Sequence, residues 1–265
     1  MLALCLINGH VSAQNTSWHL IQKLDIPGLD LMDIDSKGNL FTSNQSGMIC
    51  QYDTNGDSIN LFAPSISSRL DRLETHWTVN IFIYSSNLQK VDILDRFLHP
   101  ISSNHLSDFG IYGIIPNATL GNNNTIWLFD ESDLKLKKLN YRSNKVLQQQ
   151  PLNTIFPDKD LKVVKLWERN NMLYIQIRDI GLSIFDNQGN YIKTIIFSGN
   201  LPVDIDGEYV YSLQGNHLLK INYLNEAIEK TLMPKGKYKG IALKGKRVFL
   251  QGENTIEIYQ RPHNF

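Results

Sequence analysis

Two cysteines in 265 residues leave no room for a disulfide framework. Cys5 falls in an N-terminal apolar stretch. Cys50 then stands alone between Ile49 and Gln51, with no basic neighbour in the sequence to activate it, and reads as an inert thiol. Charge of either sign is not in excess: 26 basic and 26 acidic residues cancel. A neutral chain without a basic cluster interleaved with aromatics offers no electrostatic footing for nucleic acid or an anionic membrane, and no nucleic-acid partner is expected. No run of about 20 apolar residues occurs, so no transmembrane helix is expected. Signatures of chemistry are also missing. The seven histidines are not paired with one another, with cysteine or with acids at metal-ligand spacing. There is no G-x-S-x-G elbow and no phosphate-binding glycine loop. No catalytic residue, metal ligand or cofactor is predicted, and the chain reads as a non-enzyme.

What is present is repetition. Residues 163–197 alternate four short apolar runs with three polar turns, the pattern of an antiparallel meander. An aromatic recurs in each such unit: Phe41, Phe82, Trp127, Tyr174, Tyr211 and Phe249, at spacings of 41, 45, 47, 37 and 38 residues. Some 10 to 12 residues later each unit has a large apolar residue followed by a polar one: Tyr52-Asp53, Leu94-Asp95, Leu139-Asn140, Phe185-Asp186, Ile221-Asn222 and Tyr259-Gln260. A period near 40 with about four strands per unit predicts an all-β fold, a six-bladed β-propeller of four-stranded antiparallel blades. One meander cannot bury both faces; radial packing covers them.

The blades are predicted over 29–62, 69–98, 110–150, 163–197, 201–233 and 238–259, with Val79–Tyr84 as the inner strand of the second. Pro27, Pro64, Pro100, Pro151, Pro202 and Pro234 each follow a unit's last strand, where a residue that cannot donate to a ladder belongs. The last unit stops after three strands, so residues 18–26 are expected to close the ring as its outer strand. Residues 99–109, long and polar, read as a mobile loop, and Gln260–Phe265 as a frayed tail.

Residues 1–13 resemble the end of a secretory signal peptide without its basic start, and Val11-Ser12-Ala13 fits the cleavage rule. Residues 14–265 then form one domain. Asp33-Ile34-Asp35 before Gly38 has the look of a calcium loop, but Lys37 stands where an oxygen ligand is needed, and a turn is the better reading.

The runs Gly38–Phe41 and Gly47–Gly56, echoed in Met172–Ile175 and Gly181–Gly189, resemble NHL- and TolB-like six-bladed propellers. Val79–Tyr84, Lys90–Arg96, Trp127–Asp130 and Leu136–Leu139 resemble exported propellers of Gram-negative envelopes. The resemblance marks strands and turns and carries no catalytic residue across. The truncated signal, the balanced charge and the lack of a catalytic constellation lead to the expectation of an exported, monomeric binding or scaffold module of the periplasm or outer envelope of a Gram-negative bacterium, with a protein or small ligand as partner. Ligand or partner contacts are expected on the polar loops between second and third strands, at Asn44, Asn87, Arg178, Asp179, Gln214 and Glu253. Two alternatives are weighed. One is a gluconolactonase-like, metal-dependent hydrolase or lyase, whose axial metal could draw on Asp33, Asn80, Glu131 and Asp204; their repeat positions are read as not coinciding. The other is carbohydrate binding through Trp77 or Trp167.

Overall fold

The computed structural model describes residues 18–77, 79–157 and 161–262. The expected signal peptide and the last residues of the tail lie outside them. Six four-stranded antiparallel sheets stand around one axis. Blade 6 takes its outer strand from the N-terminal end, β1 (His19–Asp25). Blade 1 is β2 (Leu29–Ile34), β3 (Leu40–Asn44), β4 (Ile49–Tyr52) and β5 (Ser58–Phe62). Blade 2 is β6 (Arg72–Glu74), β7 (Asn80–Ser85), β8 (Lys90–Asp95) and β9 (Pro100–His105). Blade 3 is β10 (Asn117–Gly121), β11 (Thr125–Asp130), β12 (Lys135–Asn140) and β13 (Lys145–Pro151). Blade 4 is β14 (Val163–Arg169), β15 (Met172–Ile177), β16 (Gly181–Asp186) and β17 (Tyr191–Ile195). Blade 5 is β18 (Asp204–Asp206), β19 (Tyr209–Gln214), β20 (His217–Asn222) and β21 (Ile228–Leu232). Blade 6 is β22 (Gly240–Lys244), β23 (Arg247–Gln251) and β24 (Thr255–Gln260), completed by β1. His19 pairs with Gln260 and Asp25 with Thr255, the ring closure read from residues 18–26.

The recurrent aromatic explains why the blades cohere. All six sit on second strands and are almost fully buried. Each packs into a cluster shared with the following blade: Phe41 with Leu73 and Ile81, Phe82 with Leu120 and Leu128, Trp127 with Leu166 and Leu173. Tyr174 meets Ile205 and Val210, Tyr211 meets Ile241 and Val248, and Phe249 meets Leu29 and Leu40, which seals the last blade to the first. One ring per junction puts the largest apolar side chain where two sheets must hold together. The second recurrence is a turn device. Asp53 Oδ1 accepts the backbone N–H of Asn55 and Asp57, and Asp95 and Asp186 repeat the pattern two and four residues on. Asn140 and Asn222 accept from the residues two and three on. These side chains close the hairpins between third and fourth strands.

Three expectations are corrected. Residues 100–105, within the presumed loop, form the outer strand of blade 2, followed by one turn of 3-10 helix at Leu106–Phe109. An outer strand has a ladder on one side only and exposes most of its side chains, so it needs no apolar alternation, and Pro-Ile-Ser-Ser-Asn-His suffices. Pro100 therefore begins an outer strand and Pro151 ends one, positions an edge tolerates, while the other four prolines lie between blades. Finally, Val79–Tyr84 is mainly the second strand of blade 2; the inner strand is the short, polar β6.

Candidate axial binding site

The innermost strands β2, β6, β10, β14, β18 and β22 ring the axis, and their register with the second strands sorts their side chains into layers. Opposite the six aromatics stand Asp33, Glu74, Thr119, Trp167, Asp204 and Ala242. Two residues earlier in each blade, towards the face where blades are connected, come Leu31, Arg72, Asn117, Lys165, Pro202 and Gly240. All six line an axial cavity of about 340 Å3, together with Asp30, Arg69, Asp71 and Lys239 at its mouth. Two residues beyond the aromatic level, His76, Arg169 and Lys244 line a smaller chamber of about 90 Å3, which Asp33 and Asp204 also reach. Arg72 and Lys165 border both chambers. Down the axis the charge runs cation, carboxylate, cation.

The middle carboxylates are already engaged. Asp33 Oδ2 accepts from the N–H (2.6 Å) and hydroxyl (3.0 Å) of Thr75 in the next blade. Asp204 accepts from Leu243 N–H at 2.7 Å, also in the next blade, and from Ile205 N–H at 2.8 Å. Glu74, fully buried, takes Arg72 Nε at 2.5 Å, the Thr119 hydroxyl at 2.5 Å, Leu120 N–H at 3.3 Å and the Trp77 indole N–H at 3.4 Å. Thr75, Leu120 and Leu243 occupy the same place in the repeat, so these acids clasp one blade to the next at three junctions. Two cations do the converse. Lys165 Nζ donates to Val203 C=O at 2.7 Å, and Lys239 Nζ to Leu29 C=O at 3.0 Å.

Burial sets the electrostatics. It lowers the ammonium of Lys165 to about 8, aided by the neighbouring Arg72 and opposed by Asp204 and Asp33. Burial also raises the Asp204 carboxyl against the pull of Lys165, and it lowers His76, whose ring nitrogen lies 3.2 Å from Glu168 C=O. At the mouth, Arg69 forks onto Asp30 at 2.7 and 3.1 Å, and Asp71 accepts Ser86 N–H at 2.6 Å.

The loops named from sequence surround this mouth, since second strands end where inner strands begin. Their residues do not converge. Asn44 is spent on its own turn, accepting from Ser46 and Met48 N–H. Gln214 Nε2 bonds Ser198. Asn87 is exposed on blade 2, and Arg178 and its neighbour Asp179 are exposed on one turn of blade 4, Asp179 in the left-handed conformation at φ 60°. Glu253 alone reaches a cavity residue, 4.0 Å from Lys239. Of the four residues weighed for a metal, Asp33 and Asp204 do coincide in the repeat, contrary to the sequence reading, and Glu74 joins them. Asn80 lies in a surface groove between blades and Glu131 on an exposed turn. Among the described residues no three His, Cys, Asp or Glu side chains gather as a metal site. Asp35 closes its own turn through Lys37 and Asn39 N–H. Trp167 is buried and stacked on Tyr174, and half-buried Trp77 packs against the core of blades 2 and 3. Cys50 is half-buried, 3.2 Å from the Ser58 hydroxyl.

Arg72, Asn117 and Lys165 were missed. A signal existed: each stands nine or ten residues before its blade's aromatic, as do Leu31, Pro202 and Gly240.

No family model matches the chain, and no curated protein matches it. Solved structures do. Virginiamycin B lyase from Staphylococcus aureus is 13% identical, covering 92% of this chain and 99% of that one at a TM-score of 0.62. BamB from Moraxella catarrhalis is 9% identical, over 93% and 98%, at 0.55. The β-propeller domain of Cps50 (Swd1) from Myceliophteria thermophila is 11% identical, over 92% and 99%, at 0.65. At such identities the likeness shows the propeller fold alone.

Proposed function

We propose that the protein is a non-enzymatic, monomeric binding module of the NHL- and TolB-like type, exported to the envelope of a Gram-negative bacterium. It holds a protein partner on the face where the blades are connected. The observation that carries this reading is a set of exposed apolar side chains on that face. Ile66 follows blade 1, Tyr112 and Ile114 follow blade 2, and Ile196 follows blade 4, exposed by 55, 84, 64 and 81%. Large apolar groups distributed around a polar mouth suit a protein surface. The engagement of every middle-layer carboxylate in blade-to-blade clasps supports a non-catalytic role. No helix among the described residues is long and apolar enough to cross a membrane.

The test is cross-linked capture from an envelope extract. A partner held by the wild type and by Phe97→Ser on the opposite face, but released by combined Tyr112→Ser, Ile114→Ser and Ile196→Ser, supports the reading. A partner indifferent to the triple variant refutes it.

A second reading, a metal-dependent hydrolase or lyase, is favoured by the coincidence of Asp33, Glu74 and Asp204 in the repeat, and by the lyase among the structural neighbours. It requires one divalent ion per chain after dialysis, removed by chelator with a fall in melting temperature.

A further inference from the structure

The upper axial chamber is divided by charge. Blades 2, 3 and 4 contribute a contiguous arc of guanidinium, carboxamide and ammonium through Arg72, Asn117 and Lys165. Blades 5, 6 and 1 face it with Pro202, Gly240 and Leu31, backed by Ile241; Lys239 and Gln251 on that side are engaged by the Leu29 and Asp30 carbonyls. No carboxylate stands in that layer. The two acids at the mouth are held, Asp30 by Arg69 and Asp71 by the Ser86 N–H.

The arc retains donors. Arg72 uses Nε on Glu74, and its terminal nitrogens have no partner among the described residues. Asn117 gives one amide hydrogen to Val163 C=O at 3.0 Å and keeps the other. Lys165 has only a neutral carbonyl for company at hydrogen-bond distance, with a second cation close by. A carboxylate placed there would accept from all three side chains and relieve the repulsion between two of them. The opposite arc offers such a ligand an apolar wall. A cavity of about 340 Å3 is at the lower end of the roughly 300–1,000 Å3 typical of small-molecule sites.

We propose that this chamber binds a small organic acid, its carboxylate on Arg72, Asn117 and Lys165 and its short apolar body against Leu31, Pro202 and Ile241. The site is independent of the partner surface, because none of its residues belongs to the exposed apolar set.

Titration calorimetry of the full chain at pH 7.5 tests this, with hexanoate and phenylacetate as probes and hexan-1-ol, hexylammonium and inorganic phosphate as controls. Both acids are expected to bind one per chain, and each control at least tenfold more weakly. Lys165→Met and Asn117→Ala should each weaken hexanoate about tenfold, with circular dichroism and melting confirming the fold, while Arg96→Met on the far face leaves it unchanged. Proton uptake gives a second readout. The groups facing Lys165 are Arg72 and Glu74 of β6, Asp33 of β2 and Asp204 of β18. An added carboxylate favours the charged amine, so at pH 8.5 binding should take up a fraction of a proton in the wild type and none in Lys165→Met. Phosphate binding as tightly as hexanoate would remove the apolar wall from the site. Hexan-1-ol binding equally well would remove the charged arc. Absence of binding by either acid at 10 mM would overturn the proposal outright.

Discussion

Replacing Glu74 by leucine should be among the more damaging single changes in the ring. Its carboxylate is sealed from solvent and joins two blades through Arg72, Thr119 and Leu120 N–H. Leucine roughly conserves volume, so the loss is electrostatic. A mostly buried guanidinium is left without its counter-ion, and a hydroxyl and an N–H lose their acceptor. Breaking a buried ion pair from one side costs about 3–5 kcal/mol. At about 2–4 °C per kcal/mol for a large domain, the melting temperature should fall by about 6–20 °C. Arg72→Met is milder, about 1.5–3 kcal/mol, because Glu74 keeps its other donors. The informative variant is the double one. With both charges gone no ion is stranded; the Thr119 hydroxyl and Leu120 N–H lose an acceptor, as does the half-buried Trp77 indole N–H, whose bond to Glu74 is long at 3.4 Å, about 2 kcal/mol in all. The double mutant should therefore be more stable than Glu74→Leu alone. Urea denaturation of the four proteins gives the coupling energy. A double-mutant loss equal to the sum of the single losses, or a Glu74→Leu loss below about 1 kcal/mol, would refute the clasp as an energetic unit.

Phe249→Ala, at the junction of last and first blades, should cost about 3–5 kcal/mol in chemical denaturation, as for a large aromatic removed from a packed core. Gly47→Ala combines a φ of +80° with a Cβ that would lie 2.4 Å from the Ser68 carbonyl oxygen, and a drop of roughly 2–4 kcal/mol in unfolding free energy is expected. Lys165 makes stability depend on pH. The unfolded chain holds this proton up to about pH 10.5 and the folded chain only to about pH 8. More protons are thus bound in the unfolded state between those values, and stability rises with pH across that window by at most about 3 kcal/mol. Subtracting the pH profile of Lys165→Met should isolate this rise; identical profiles would show that the amine is not desolvated.

The ring was legible because its strongest constraint is local and periodic. Each second strand is buried on both faces and carries the aromatic wedge, so Phe41 through Phe249 could be counted directly. The acid that follows the third strand was equally visible, since Asp53, Asp95 and Asp186 close their turns with their own side chains. The axis was not. Inner strands such as Arg72–Glu74 and Asp204–Asp206 are three residues long and polar, because they face a chamber rather than a core. Three residues are too few for a period to be read. Outer strands fail for the opposite reason: β9 exposes most of its residues, so its sequence resembles a loop. The six amide-rich loop positions were chosen as good turn residues on the correct face, and turn residues is what Asn44 and Asp179 are. The site lay inward of them, on side chains that only strand register brings to one level.

The pairing of β1 with β24 gives the chain a history as well as a seam. His19 emerges during synthesis long before its partner Gln260 exists. At about 5–20 residues per second, that interval is roughly 10–50 s. Throughout it β1 is a bare strand with no sheet to join, and Phe249, which must wedge blade 6 onto blade 1, has not yet been made. Each finished blade can lean on the one before it, but the circle has no last brick until β24 has been made. A nascent ring of this kind stays open, and recognisable to whatever handles unfolded polypeptides, for the whole interval between its first strand and its last.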